Sequence, residues 1–309
     1  MILTVTPNTT VDQTLILPAF EFNRTIRATS VTYSMGGKPT DASFILGTLG
    51  IPSYAIGLAA GAMGEKVKTL LNGRGVITDF IPVGGETRLN TILAYPGGQT
   101  TITTNTLEVT PEHIDLLKNL YADLLPRASV VVMGGTLPVG VDPSLYADLI
   151  ALARARSLPV IFDADQPNLG AGLAARPTII KPNQFELERL TGEPIPDMAA
   201  AYQAGRRILA EYGTIPVITL AEQGGLAVLP GDRAYFIPPL PIDVVSAGGA
   251  GDGVLAGMAA SFARRQPLED GLRLGFACAA AVCLLPGTAD CRPEDVERFL
   301  PLIDLRPYP

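Results

Sequence analysis

Histidine occurs once in this chain and cysteine three times, and those scarcities exclude several chemistries. The single histidine, His113, stands just behind Thr110-Pro111-Glu112, which has the form of a helix N-cap with proline in the first turn. A histidine-dependent triad or a zinc cluster is therefore not expected. Cys278, Cys283 and Cys291 are odd in number, late in the chain and without metal-ligand neighbours, so no disulfide framework is expected either. Cys278 and Cys283 lie in an apolar, Ala-rich run and read as buried small hydrophobes, which suits a reducing cytoplasm. Positive charge is also short: 23 Lys and Arg face 30 Asp and Glu, a net charge of −7. No nucleic-acid partner is expected of such a chain, although local basic residues can still hold a small anion. No basic n-region precedes the first apolar residues, and the longest apolar run, Gly275 to Leu285, is too short to span a bilayer. Neither a signal peptide nor a membrane partner is expected. Internal repeats, low-complexity tracts and a clear interdomain linker are lacking as well.

What is present is a long, apolar chain. Its 309 residues are 47% hydrophobic, enough for one large α/β domain or two smaller ones. Ile2 to Thr6 reads as a buried first strand, followed by a polar loop, Pro7 to Asp12. Strand, helix and strand patterns then alternate (Ser53 to Gly57, Gly64 to Gly73, Val76 to Val83). A hairpin, Thr87 to Tyr95 and Thr100 to Thr104 about Pro96-Gly97-Gly98, interrupts them. With the loosely alternating Phe20 to Met35, it can build a small lid sheet. Alternation resumes at Thr110 and runs through strands ending at Met133, Asp163, Asn183 and Leu220. Most polar candidates stand at the C-terminal ends of these strands, where open α/β sheets bind ligands.

The stretch Val244 to Gly253 organises the rest. Its small residues Ser246-Ala247-Gly248-Gly249-Ala250-Gly251-Asp252-Gly253 run straight into an apolar helical pattern. A helix starting there aims unpaired N–H groups and a positive dipole end at whatever lies above, which makes an anion site. Asp252, at its lip, either caps the helix or takes a proton from a hydroxyl that attacks a phosphate. Other candidates keep two readings. Asp12 either caps a turn or holds sugar hydroxyls. Gly36-Gly37 opens a helix with Pro39 in its first turn, and Lys38 beside it is either solvated or an anion ligand. No Walker loop is formed: an upstream Gly is missing, and Pro39 occupies the Ser/Thr place that binds magnesium. Arg88 is a phosphate candidate or a surface ion pair. Asn183 and Glu186, three apart at a helix start, either form a capping arrangement or help to hold hydrated magnesium.

With these segments in order, the whole chain resembles the ribokinase-like, PfkB-type carbohydrate kinases. The likeness is carried by Thr9-Thr10-Val11-Asp12, Gly36-Gly37-Lys38, Thr87-Arg88-Leu89-Asn90 and Gly135-Thr136-Leu137-Pro138-Val139-Gly140. It continues through Lys181-Pro182-Asn183 with Glu186, Thr219 to Gly225, Gly249-Ala250-Gly251-Asp252 and Gly287-Thr288. Within the family the chain is most similar to the branch of 1-phosphofructokinase, tagatose-6-phosphate kinase and the minor 6-phosphofructokinase. The resemblance implies one Rossmann-like α/β domain over residues 1–309, with a mostly parallel central sheet flanked by helices. It also implies a small β lid from about residues 12–35 and 86–105, through which a homodimer can form. It implies transfer of a phosphoryl group from ATP, with Mg2+, to a hydroxyl of a phosphorylated hexose in the cytoplasm. Asp252 then matches the catalytic base, and Gly249, Ala250 and Gly251 the anion hole. Asp12, Gly36, Gly37, Lys38, Asp41, Asn90 and Thr136 fall at the sugar, with Arg88 and Arg27 toward its phosphate. Lys181, Asn183, Thr219, Ala221, Gly224 and Ser246 fall near the nucleotide, and Asn183 and Glu186 near the metal.

The chain also departs from the family. Pro39 and Asp41 replace a Gly and an Asn of the usual sugar loop, and an ionised acid cannot donate a hydrogen bond as an amide does. Ala247, Gly248 and Gly253 replace the common Thr, Val and Ser. Three alternatives follow. One is a kinase of an unphosphorylated sugar or nucleoside. Another is a nicotinamide-dependent oxidoreductase, since Gly251 to Ala256 fits G-x-G-x-x-A behind a short Val244-Val245 strand. The last is a sugar-phosphate sensor without turnover.

Overall fold

A computed structural model describes residues 1–309. The chain opens with β1 (Ile2–Thr6), turns into β2 (Thr10–Ile16) and returns through an irregular connection as β3 (Ser30–Gly36). Then come α1 (Lys38–Thr48), β4 (Ser53–Ala59), α2 (Gly61–Asn72), β5 (Ile77–Pro82) and the two-residue β6 (Gly84–Gly85). The hairpin of β7 (Arg88–Tyr95) and β8 (Gly98–Ile102) follows, and β9 (Leu107–Glu108) pairs back onto β6. Next along the chain are α3 (Pro111–Leu124), β10 (Val130–Gly134), α4 (Ser144–Arg154), β11 (Val160–Asp163) and α5 (Asn168–Ala174). They lead to β12 (Ile179–Ile180), α6 (Gln184–Thr191), α7 (Met198–Tyr212), β13 (Ile215–Thr219), β14 (Gly225–Leu229) and β15 (Arg233–Ile237). Helices α8 (Ala250–Arg264), α9 (Leu268–Val282) and α10 (Pro293–Phe299) and the short β16 (Arg306–Pro307) end the chain.

The expected α/β architecture is found. The large sheet has the order β16-β15-β14-β13-β12-β11-β10-β1-β4-β5, parallel from β13 to β5 and antiparallel at the β14–β16 edge. Its central strands are apolar and β-branched on both faces because helices cover both. In β1, Ile2 joins the core under α8 and α9, while Leu3 and Val5 join the opposite core under α3 and α4. Strand order reverses at β1, which has β4 on one side and β10 on the other. A crevice opens above the carboxyl ends there, and the chain's polar residues gather in it.

A second sheet, β3-β2-β7-β8, stands over that crevice. Its register decides which side chains share a face. Asp12 pairs with Asn90 on β7 and with Ser34 on β3, so these three form one row. Sequence patterning expected Pro7 to Asp12 to be a loop, and here the structure differs: β2 begins at Thr10 and carries Asp12. The buried face of this sheet is polar, so hydrophobic alternation is weak there. Two smaller differences are α5, which no pattern announced, and Val244-Val245, which is exposed coil rather than strand. No helix is long and apolar enough to cross a membrane.

Helices α8 and α9 meet backbone to backbone. A Cβ on Gly257 would lie 2.1 Å from the Gly275 nitrogen, and one on Gly253 2.8 Å from the Ala279 nitrogen. Glycine at 253, where Ser is common in the resembled family, therefore answers to the close approach of α9. Gly257→Ala must push the helices apart and should cost about 1–3 kcal/mol, the range for overpacking a close contact. Urea denaturation measures this, and an unmoved midpoint would show that the crossing has slack.

Candidate active site

The start of α8 leaves backbone donors without partners. Gly249, at the N-cap, has φ 77°, and a Cβ on it would lie 2.3 Å from the Ala289 nitrogen. The backbone N–H groups of Gly249 and Gly251 make no hydrogen bond within the chain. The loop is nonetheless fixed. Ser246 Oγ donates to the Gly287 carbonyl at 2.9 Å and accepts from the Gly248 N–H at 3.3 Å. The Ala289 N–H in turn donates to the Gly248 carbonyl. Asp252 lies in the first turn and is only 8% exposed. Burial, then the nearby Asp163 carboxylate, push its carboxyl up to about 7, against the pull of Lys181 and Lys38.

The second sheet supplies the facing wall. Asp12 accepts from Asn90 Nδ2 at 2.9 Å and from Thr288 Oγ1 at 2.8 Å, which fixes both carboxylate oxygens. Burial raises its carboxyl, while these two bonds and Arg88 pull it down. Gly36 must be glycine because a Cβ there would strike the Asp12 carboxylate. Arg88, on the same sheet, makes no ion pair within 4 Å, and its Nε is buried without a partner. Burial lowers its basicity while Asp12, Tyr146 and Asp41 raise it. Its guanidinium therefore faces the crevice with hydrogen-bond capacity to spare. Asp41, in the first turn of α1, is 3% exposed and lies beside Asp252.

Against the start of α8 lies an ion network that sequence reasoning missed at its centre. Asp163, at the end of β11, pairs with Lys38 Nζ at 2.5 Å through one oxygen and with Lys181 Nζ at 2.9 Å through the other. Lys38 also reaches Glu186 Oε1 at 2.6 Å. The expectation of a solvated Lys38 gives way to an ammonium held by two carboxylates. Burial by itself would lower it, yet Asp163 and Glu186 hold it above the usual lysine range. Asp163 is buried too, and Lys181 and Lys38 overcome that burial and depress its carboxyl. Lys181 Nζ lies 2.9 Å from where a Cβ on Gly251 would stand, so the ammonium sits against the start of α8.

Asn183 and Glu186 form a complete capping box at α6. Asn183 Oδ1 accepts from the Glu186 N–H at 2.9 Å, and Glu186 Oε2 from the Asn183 N–H at 2.8 Å. With Oε1 on Lys38, each of these oxygens already has a partner, and no cluster of three metal-ligating side chains occurs in the chain. A magnesium ion fits these residues only through water, by way of the lone pairs that remain on the oxygens.

Thr219 joins this wall by a β-bridge to Asn183; a short turn follows it, in which Ala221 is exposed and Gly224 buried. Thr136 is linked only through the Asn8 amide, at 3.3 Å, and Arg27 is exposed on the β2–β3 connection. Besides Asp163, sequence reasoning gave no role to Thr288, Ser34 or Tyr146. The Tyr146 hydroxyl is buried and donates to the Gly134 carbonyl at 2.5 Å. A lone acid closing an apolar strand was the one available sign for Asp163. Gly251 to Ala256 lies within α8 with no strand running into it, so the dinucleotide-binding context is missing.

A model of the pfkB family of carbohydrate kinases matches residues 6–295. A 1-phosphofructokinase of Borreliella burgdorferi is 31% identical, over 97% of this chain and 96% of its own length. A 1-phosphofructokinase of Escherichia coli is 28% identical, over 99% and 98%. Among solved structures, phosphofructokinase-2 from Escherichia coli superposes with a TM-score of 0.89 at 25% identity, covering 97% of this chain and 98% of its own.

Asp163→Asn would leave the Lys181 ammonium buried and unpaired. It should destabilise the fold by about 3–5 kcal/mol, the usual cost of breaking a buried pair from one side. Because the Asp163 carboxyl is depressed on folding, its contribution is complete above the unfolded value of 3.8 and is lost as pH falls through the folded one. Denaturation midpoints at pH 7 and in acid measure this; a loss under about 1 kcal/mol at pH 7 would show that Lys181 finds another partner.

Proposed function

The chain belongs to the pfkB family of carbohydrate kinases, and from that premise we propose that it phosphorylates a hexose that already carries a phosphate. ATP is the donor, and the acceptor is of the fructose 1-phosphate, fructose 6-phosphate or tagatose 6-phosphate type. One observation carries the reading: a buried carboxyl, Asp252, held near neutrality beside the unpaired N–H groups that open α8. A carboxyl near pH 7 is matched to taking a proton from a sugar hydroxyl as the hydroxyl attacks phosphorus. The N–H groups of Gly249 and Gly251 meet charge growing on the transferred group, and Lys181 adds an ammonium beside them. ATP with Mg2+ supplies the phosphoryl group and the charge neutralisation, the ion held through water by Asn183 and Glu186. Thr219, Ala221, Gly224 and Ser246 line the nucleotide side.

At the sugar, Asp12 is oriented by Asn90 and Thr288 to accept from a hydroxyl. Gly36, Gly37, Lys38 and Thr136 border the same space. Arg88, free of carboxylate partners, takes the phosphate already on the substrate; Arg27, exposed on the β2–β3 connection, would have to swing inward to join it. The names of the 1-phosphofructokinases that resemble this chain support a phosphorylated hexose over a free sugar or nucleoside. The second sheet acts as a lid on one domain spanning residues 1–309, and it excludes water from the transfer. Its outer face shows Val31, Tyr33 and Ile102, with Phe20 and Phe22 beside them. A second copy of the chain would cover these residues. Three free thiols suit the reducing cytoplasm.

Asp252→Asn should bind both substrates yet lose ~10²–10⁴-fold in turnover, and with it the fall in rate below about pH 7. Near-normal turnover would remove Asp252 from the role of base. Arg88→Ala should raise KM for a phosphorylated hexose by tenfold or more, as for loss of a charge-assisted pair worth about 1.5–3 kcal/mol, and change little for free fructose. ADP release over a panel of the three hexose phosphates, fructose, ribose and adenosine checks both. Activity confined to unphosphorylated compounds would overturn the substrate class, and single-turnover silence would leave a sensor.

A further inference from the structure

Asp41 stands where the resembled kinases carry an amide, and its surroundings are hard on a negative charge. It is 3% exposed in the first turn of α1, and its Oδ1 is buried with no partner. The charged groups that face it are Asp252 from α8, Asp12 from β2 and Arg88 from β7. Asp252, within hydrogen-bonding reach, is the nearest of the acids in effect. Arg88 makes no ion pair with Asp41, and Asp12 has both oxygens occupied by Asn90 and Thr288. Asp252 in turn faces Asp163 from β11, Lys181 after β12 and Lys38 from α1. Two carboxylates cannot both stay ionised side by side in a buried site; a proton between them is the stable arrangement.

We propose that Asp41 works as a neutral carboxylic acid, donating a hydrogen bond to the Asp252 carboxylate and holding that base toward the reacting hydroxyl. Asp41 is a positioning residue: its proton is never transferred. With that proton it supplies one donor and one acceptor, as the amide of an asparagine does, so the exchange of Asn for Asp keeps the hydrogen-bonding capacity of the position while making it sensitive to pH. Burial and the two neighbouring acids favour the protonated form, and Arg88 alone opposes it. A carboxyl raised on folding favours the fold most below its unfolded value, near 3.8, and that stability drains away as pH rises toward the folded value.

The positioning role rests on the base assignment of Asp252, but the protonation state does not, and the tests separate the two. Asp41→Asn mimics the neutral acid permanently. In the free protein, the Tm of Asp41→Asn relative to wild type should rise steadily from pH 5 to pH 8. The infrared difference spectrum, wild type minus Asp41→Asn at pH 7, should show the carbonyl band of a protonated carboxyl. In turnover with Mg-ATP and the best hexose phosphate, Asp41→Asn should stay within about tenfold of wild type in kcat and lose any decline on the alkaline side. Asp41→Ala should lower kcat much more than Asp41→Asn while leaving KM for ATP in place. A missing carbonyl band, with Asp41→Asn less stable than wild type at every pH, would mean that Asp41 is ionised and would overturn the proposal. Equal losses in kcat for Asp41→Asn and Asp41→Ala would overturn the hydrogen-bond role. If Asp252→Asn kept its turnover, the assignment of the base would fail while the Tm and infrared results still decided the charge on Asp41.

Discussion

The pairing of Asp163 with two lysines is the interaction on which the site depends. Its carboxylate ends β11 in the middle of the sheet, and through it the start of α1 (Lys38), the segment after β12 (Lys181) and the start of α6 (Glu186, by way of Lys38) are held together. Buried pairs of this kind add little net stability, because desolvation takes back most of the Coulomb gain. What they add is geometry. The Lys181 ammonium has one place to be, against Gly251 at the start of α8. The anion hole of α8 and the ion network are therefore one electrostatic unit, with Asp252 at its border.

The two walls of the crevice divide the charge unevenly. The sheet side carries Asp12, Asp41 and Arg88, with the arginine left unpaired. The helix side carries Lys38 and Lys181 against Asp163 and Glu186. A chain with a net charge of −7 still gathers Lys38, Lys181 and Arg88 in one crevice. The pKa directions agree with that division. Asp163, between ammoniums, is depressed, and Asp12, Asp41 and Asp252, more remote from them, are raised. One type of side chain is tuned in opposite senses within a single crevice by its neighbours and by burial.

Much of this was legible in the sequence. The parallel strands are apolar on both faces and announce themselves, and the hairpin of β7 and β8 carries its turn in Pro96-Gly97-Gly98. The helix at Gly249, the cap at Asn183 and the cap at Thr110 follow from turn and capping chemistry, and the structure places all three. Strand β2 was not legible, because its inward face bears Thr10, Asp12 and Thr14 in place of apolar residues. Lys38 looked solvated because its partners lie 125 and 148 residues away, a distance that no local pattern spans. Asp163 looked like the end of a strand and nothing more. Pro39, a departure from the resembled family, turned out to be conservative in physical terms: it sits in the first turn of α1, where a missing N–H leaves no helical bond unmade.

Thr288 reaches from the last tenth of the chain to Asp12 in the first twentieth, a separation of 276 residues. Its loop also grips the α8 start through Gly248 and Ser34 through its own N–H. During synthesis, then, strands β1–β15 and helices α1–α9 are made before the segment that clasps the crevice. Until that late loop has left the ribosome and docked, Asp12 lacks one of its two orienting bonds and the Gly-rich loop lacks its backstop. The contacts that fix Asp12 and the Gly-rich loop are thus completed by one of the last segments of the chain to be made.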